Sequence, residues 1–220
     1  MVQRDPERPV SPEADRIEVD GQLIRSAPKV YLMLNKPRGV VTTAADEKGR
    51  KTVYDLLDKD LLDKALSWVA PVGRLDKASE GLLLLTNDSE WGARVLAPET
   101  HLDKTYHVQV ANVVDEKLIT TISNGVRTPE GEMLRVKRVG VLRGGAKNTW
   151  LEIVLDEGKN RHIRRLLAGF EVEVLRLVRV AIGPLVLGTL PKGVSRPLTQ
   201  KEKAALDAAI EGRGSGKLVR

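Results

Sequence analysis

The sequence predicts an α+β fold built on a largely antiparallel sheet. Segments of strand character outnumber those with helical periodicity, and several follow one another with no helix between them. A doubly wound parallel sheet would need a crossover after nearly every strand. The chain has 220 residues, 41% of them hydrophobic, which suits one large domain, or one domain and an appendage, around a normal core.

The elements can be justified in order. Residues 1–15 are polar and proline-bearing, and read as loop or disorder. Within residues 17–24, Asp20-Gly21 separates two short apolar stretches, a hairpin signal. A strand over residues 30–34 opens the main domain, and the lysine-rich stretch 46–64 holds a short helix around 53–57. Residues 82–86 form a strand, after which Asn87 or Asp88 caps a helix through Leu96. Lys104–Val110 alternates, with Tyr106, Val108 and Val110 on one side. Asp115 starts a helix that puts Leu118, Ile119 and Ile122 on one face and stops at Gly125. Strands near 134–142 and over Thr149–Leu155 precede a basic helix, and Val174–Ile182 is a further strand. Thr199 and Glu202 have capping-box spacing ahead of a helix to about Ile210, with a mobile tail expected from Gly212. The chain thus divides into a tail with a hairpin (1–28), a main domain (29–200) and a C-terminal helix with its tail (201–220).

The net charge of +6 is unevenly spread: residues 1–110 carry 16 basic and 18 acidic side chains, residues 111–220 carry 20 and 12. A basic half fits a polyanionic partner, since neutralising phosphates releases counterions. Cysteine is absent and the three histidines have no H-E-x-x-H spacing, so no disulfide, thiolate chemistry or metal is expected. Apolar runs such as 82–85 are too short to span a bilayer, and Met1-Val2-Gln3-Arg4-Asp5 has no apolar signal region. No membrane contact and a cytoplasmic location are expected.

The most informative stretch is residues 73–86, Gly-Arg-Leu-Asp-Lys-Ala-Ser-Glu-Gly-Leu-Leu-Leu-Leu-Thr. It is a charged turn centred on Asp76 that feeds an apolar strand, with Gly73 and Gly81 letting the backbone bend. Taken alone, such a turn most often uses its aspartate for local hydrogen bonds. The run from Gly73 to Asp76, continued by Ser79 to Asp88, resembles the active-site motif of pseudouridine synthases, nearest to the family that modifies single uridines in small- or large-subunit ribosomal RNA. Four further segments resemble that family in the right order: Leu34-Asn35-Lys36-Pro37-Arg38-Gly39-Val40, Lys104-Thr105-Tyr106-His107-Val108, Glu157-Gly158-Lys159-Asn160-Arg161-His162-Ile163-Arg164-Arg165-Leu166, and Leu175-Arg176-Leu177-Val178-Arg179. One departure is Gly169-Phe170-Glu171, where relatives carry small residues ending in glycine.

The resemblance implies two subdomains on a continuous sheet with the active site in the cleft between them. It implies isomerisation of uridine to pseudouridine, with Asp76 as the catalytic carboxylate, Tyr106 as the active-site tyrosine and Arg164 as the basic residue that pairs with Asp76. Helix geometry agrees on Arg164. Ile163, Leu166, Leu167 and Phe170 form the buried stripe, Arg164 sits on its border, and Arg161 and Arg165 project from roughly the opposite side, suited to phosphates. Asp76 can attack the base or the ribose as a nucleophile or take a ribose proton, and the residues alone favour none of these. No dinucleotide or P-loop fingerprint is present, so no cofactor is expected.

Seven aromatic residues are too few for a multi-base stacking platform. RNA contacts are expected instead from Lys36, Arg38, Arg74, Lys159, Arg161, Arg165, Arg176 and Arg179, of which Lys36, Arg38 and Arg74 can equally be structural ion-pair partners. The expected partner is ribosomal RNA, free or in an assembling particle, offering a single-stranded or flipped-out uridine to a monomeric enzyme. The hairpin resembles the last hairpin of the small RNA-binding domain that precedes the synthase domain in many relatives. The helices ahead of it are missing, either lost or lying before an internal start. Two rival classes are an RNA-binding protein that kept only the fold and a glycoside or nucleoside hydrolase. The hydrolase needs a second carboxylate, for which Glu80 is the candidate near the motif.

Overall fold

A computed structural model describes residues 17–19, 22–24, 28–44, 46–58 and 68–214. Strands β1 (Ile17–Val19) and β2 (Gln22–Ile24) pair as the expected hairpin, whose Asp20-Gly21 turn lies outside the described residues. The main body contains β3 (Tyr31–Lys36), β4 (Ala70–Val72), β5 (Glu80–Thr86), α1 (Ser89–Leu96), β6 (Lys104–Val110) and α2 (Glu116–Asn124). A small pair, β7 (Val126–Arg127) and β8 (Met133–Leu134), precedes β9 (Arg138–Gly144), β10 (Thr149–Leu155), α3 (His162–Ala168), β11 (Val174–Ile182), β12 (Leu185–Val186), β13 (Ser195–Pro197) and α4 (Gln200–Gly214).

Nine strands make one sheet in the order β13-β3-β5-β11-β6-β10-β9, with β4 added to β5 and β12 to β11. Every pairing in it is antiparallel except β5 with β11. That parallel pair is the seam between two half-sheets, and Gly81 permits it. Gly81 adopts φ 105°, and a Cβ there would stand 2.2 Å from the Arg179 carbonyl oxygen, so any side chain would force the strands apart.

On one face, two cores flank the seam. Leu32, Leu34, Leu83 and Leu85 pack with Val53 and Leu75 on the first half. Val108, Val110, Leu151 and Ile153 pack with Ile122 of α2 and Leu166 and Leu167 of α3 on the second. Tyr106 packs against both, at the boundary where a cleft opens. On the other face, Met33, Leu82 and Leu84 pack under Trp91 of α1 and Leu206 and Ile210 of α4. That layer receives no residue from β6, β9 or β10.

Capping signals account for the starts of α1, α2 and α4. Asp88 accepts from Trp91 N and caps α1, Asp115 accepts from Leu118 N and caps α2, and Thr199 with Glu202 forms the capping box of α4. Helix α4 runs to Gly214, past the expected end at Ile210; residues beyond it are outside those described. At the exit of α3, Glu171 takes φ 58°, the left-handed geometry that glycine adopts without strain.

Candidate active site

The turn between β4 and β5 is held by its backbone. Thr42 Oγ1 donates to Leu75 O at 2.8 Å, Gly39 N to Lys77 O at 2.7 Å and Arg164 Nη2 to Ala78 O at 3.1 Å. Lys36 Nζ donates to Asp76 O at 3.1 Å and Ser79 O at 2.8 Å. Five consecutive carbonyls, 75 to 79, are therefore bound by donors distant in sequence, while the Asp76 side chain stays one-third exposed.

Lys36, expected either as a phosphate contact or as a structural ion-pair partner, is wholly buried and spends its ammonium inside the protein on backbone carbonyls, with a third bond to Pro37 O at 3.1 Å. Burial pulls its pKa down to about 8, against the opposing pull of Asp76 and Glu80. Without those carbonyls a buried ammonium would be severely penalised.

The facing wall is made by residues 156–161 and α3. Arg161 takes φ 49° at the N-cap of α3, which turns it out of the helical wheel, and its Nη1 lies 3.6 Å from Asp76 Oδ2. Asp76 thus has its ion pair with Arg161, where Arg164 was expected. Arg164 is engaged by backbone, donating through Nη1 to Val174 O at 3.3 Å as well as to Ala78 O. Burial and then Arg161 push the Arg164 pKa down, and the charge of Asp76 opposes them. Arg164 therefore acts on the loop that carries Asp76, within reach of its field.

The other predicted cations separate by position. Arg74, Lys159, Arg161 and Arg179 line one cavity of about 640 Å³ together with Asp76, Tyr106 and Arg164, a size in the range of small-molecule clefts, roughly 300–1,000 Å³. Lys159 is paired with Glu157 and Glu132, at 3.1 and 3.6 Å. Arg179 is 6% exposed and donates through Nε to Leu82 O, which leaves it no surface for RNA outside the cavity. Arg165 is held by Glu132 at 2.7 Å, Arg38 donates to Leu175 O at 3.3 Å, and neither lines the cavity. Arg176 lies on the opposite sheet face, bidentate to Glu80 at 3.0 and 3.1 Å.

Glu80, the candidate second carboxylate for hydrolysis, is buried and bound by Arg176 and Lys192. Burial would raise its pKa, and the two cations outweigh that and hold it low. Its clamp and its position behind the sheet remove it from Asp76's chemistry. Lys104, Asp156, Glu157 and His162, which the sequence did not single out as site residues, also line the cavity. For Lys104 a signal existed, because it stands two residues before Tyr106 on the same side of an alternating strand. Its pKa is lowered by burial and then by Arg179. Among the described residues no group of three or more histidine, aspartate or glutamate side chains could hold a metal, and no helix is long and apolar enough to cross a membrane.

The chain as a whole is similar to known proteins. Residues 30–169 match the RNA pseudouridylate synthase family. An uncharacterized RNA pseudouridine synthase of Aquifex aeolicus is 40% identical over 202 residues, covering 91% of this chain and 79% of its own. Ribosomal large subunit pseudouridine synthase B of Bacillus subtilis is 36% identical over 199 residues, covering 90% and 80%. A crystal structure of a pseudouridylate synthase superposes with a TM-score of 0.69 at 32% identity, covering 92% of this chain and 84% of that one.

Proposed function

The chain belongs to the RNA pseudouridylate synthase family, and on that premise we propose that it isomerises a specific uridine of ribosomal RNA, with Asp76 as the essential carboxylate. The observation that carries this reading is the meeting of Asp76, Tyr106 and Arg164 in one cavity, with the backbone around Asp76 tied at five successive carbonyls. In the reaction the bond from base to ribose breaks, the base turns, and a carbon–carbon bond replaces the carbon–nitrogen one. One placed carboxylate suits a step with no redox change and no net hydrolysis.

Tyr106 has an aromatic face for the base and a hydroxyl to orient it. Arg164 is a positioning residue, acting on Asp76 through Ala78 O. Arg74, Lys159, Arg161 and Arg179 supply positive charge along the cavity for the phosphates of a flipped-out or loop uridine. The ribosomal target is supported by the name of the Bacillus subtilis relative and by the basic second half of the chain. On this reading the enzyme works in the cytoplasm as a monomer, on free RNA or on an assembling ribosomal particle. Mapping pseudouridines in ribosomal RNA from cells with and without the protein tests it. Loss of one or a few sites is expected, and an unchanged map in both subunits' RNA would overturn the ribosomal assignment.

A further inference from the structure

The sheet face turned away from the cleft carries one polar row across four strands. Arg176 of β11 stands beside Gln109 of β6, Gln109 beside Trp150 of β10, and Trp150 beside Arg143 of β9. Both guanidinium groups lie over the indole, Arg143 at 5.3 Å and Arg176 at 5.5 Å from the ring centroid. Of these four strands the apolar layer on this face takes only Ile182, at the far end of β11, and Arg143 in the row and Lys147 in the turn joining β9 to β10 are exposed. Glu80 takes up one charge, yet with Lys192, Arg143 and Lys147 the patch keeps an excess of cations.

The row is also joined to the cleft. At the start of β11, Val174 O accepts from Arg164, Leu175 O accepts from Arg38, and Arg176 follows. Three consecutive positions thus carry a guanidinium from the cleft wall, round the end of β11, onto the back of the sheet. Arg38 stands close enough to Arg164 to lower its pKa. A structural stack alone would explain the Trp150 contacts; it leaves unexplained why uncompensated cations continue along the same line.

We propose that this row is a second RNA-contact surface, holding a single-stranded segment that flanks the target uridine after it leaves the cleft past Arg38. The guanidinium groups meet phosphates, and the indole keeps two of them aligned for that contact. The inference rests on RNA as the substrate, and not on which cleft residue performs the chemistry.

The test uses two RNAs, a short fragment carrying the converted uridine and the same fragment with unpaired extensions of about a dozen nucleotides, a length suited to one single-strand site. The extended RNA should bind the native protein about tenfold more tightly at low salt, a gain that shrinks as salt rises. A double substitution, Arg143→Gln with Lys147→Gln, should remove most of that gain while leaving affinity and conversion for the short fragment unchanged. Both side chains are exposed, so the fold is not at stake; Trp150→Ala should act in the same direction. Equal affinity of the native protein for the two RNAs, or a gain that survives the double substitution, would overturn the proposal and leave the face to a protein partner. Pseudouridine formation on the short fragment is read in the same experiment and tests the catalytic reading separately.

Discussion

One wall of the cleft presents Asp76 from a turn whose carbonyls at 75 to 79 are all bound by Thr42, Lys36, Gly39 and Arg164. The other wall, residues 156–161, ends on Arg161, whose half-exposed side chain reaches across the gap to a 3.6 Å ion pair. The first wall is over-determined by its backbone and the second is held by side-chain charge that water can replace. Such a division suits a reaction in which one carboxylate must be aimed within a fraction of an ångström while the partner is a long, variable polyanion. Positional precision belongs where atoms react, and adaptable cations belong where phosphates dock.

The largest effect should come from Asp76→Asn. The change removes charge and basicity at nearly constant shape and touches none of the backbone ties. Turnover should fall by roughly 10³-fold or more, the scale of losing a nucleophile or general base, with RNA affinity nearly unchanged. Retention of substantial activity in a pseudouridine-formation assay would sink the assignment of Asp76.

Next comes Arg164→Met. Two backbone bonds are lost, one of them on the Asp76 turn, so a sub-ångström misplacement of the carboxylate should cost about 10²-fold in turnover and much less in affinity. If the loss appeared in binding and spared turnover, the two walls would not differ in the way described.

Much of this was legible in the sequence, for identifiable reasons. Lys104–Val110, Thr149–Leu155 and Val174–Ile182 are long enough to show their character and were found at their full lengths. Strands β4, β12 and β13 have only two or three residues and no period to detect. The motifs pointed to Asp76, Tyr106 and Arg164, which line one cavity, but contacts across long separations were invisible. Nothing local to Lys36 shows that its stem is buried and its ammonium caps carbonyls 40 and 43 residues ahead. Arg176 likewise meets Glu80 across 96 residues. Arg161 was misplaced on a helical wheel because the left-handed turn that takes it off the wheel has no signature in a non-glycine residue.

Lys36→Met probes the fixed wall from beneath. It leaves the carbonyls of Pro37 and Ser79 without the lysine donor and Asp76 O with only its bond from Ser79 N, and should destabilise the protein by about 3 kcal/mol and reduce turnover by about tenfold. The pH dependence has a defined sign. In the unfolded chain Lys36 keeps its proton up to its ordinary value of 10.5, while in the native state burial brings release down to about 8. Between those values the unfolded state binds the extra proton, so this residue's contribution to stability rises with pH. The stability difference between native protein and Lys36→Met, followed by denaturant unfolding, should therefore widen above about pH 8. Over the same range turnover should fall, because a neutral amine has two N–H groups for three carbonyls. A difference that narrows across this range would mean that the buried amine does not titrate there.

Arg161→Met should have the smallest effect, and it tests the loose wall most directly. Its ion pair with Asp76 joins two partly exposed side chains, 52% and 33%, so little folding stability is at stake. In the free protein Arg161 covers the carboxylate. On the proposed reading a phosphate of the entering RNA competes for the guanidinium, and Asp76 is left facing the base with its turn still held by Lys36 and Arg164. The substitution should weaken RNA affinity about threefold at low salt and reduce the slope of log affinity against log salt by roughly 0.7 to 0.9, the change for one lost phosphate contact. Turnover at saturating RNA should stay within about twofold of native, since no backbone tie is removed. A loss of turnover equal to that of Arg164→Met, with the salt slope unchanged, would show that Arg161 belongs to the fixed machinery and that the ion pair with Asp76 persists in the working complex.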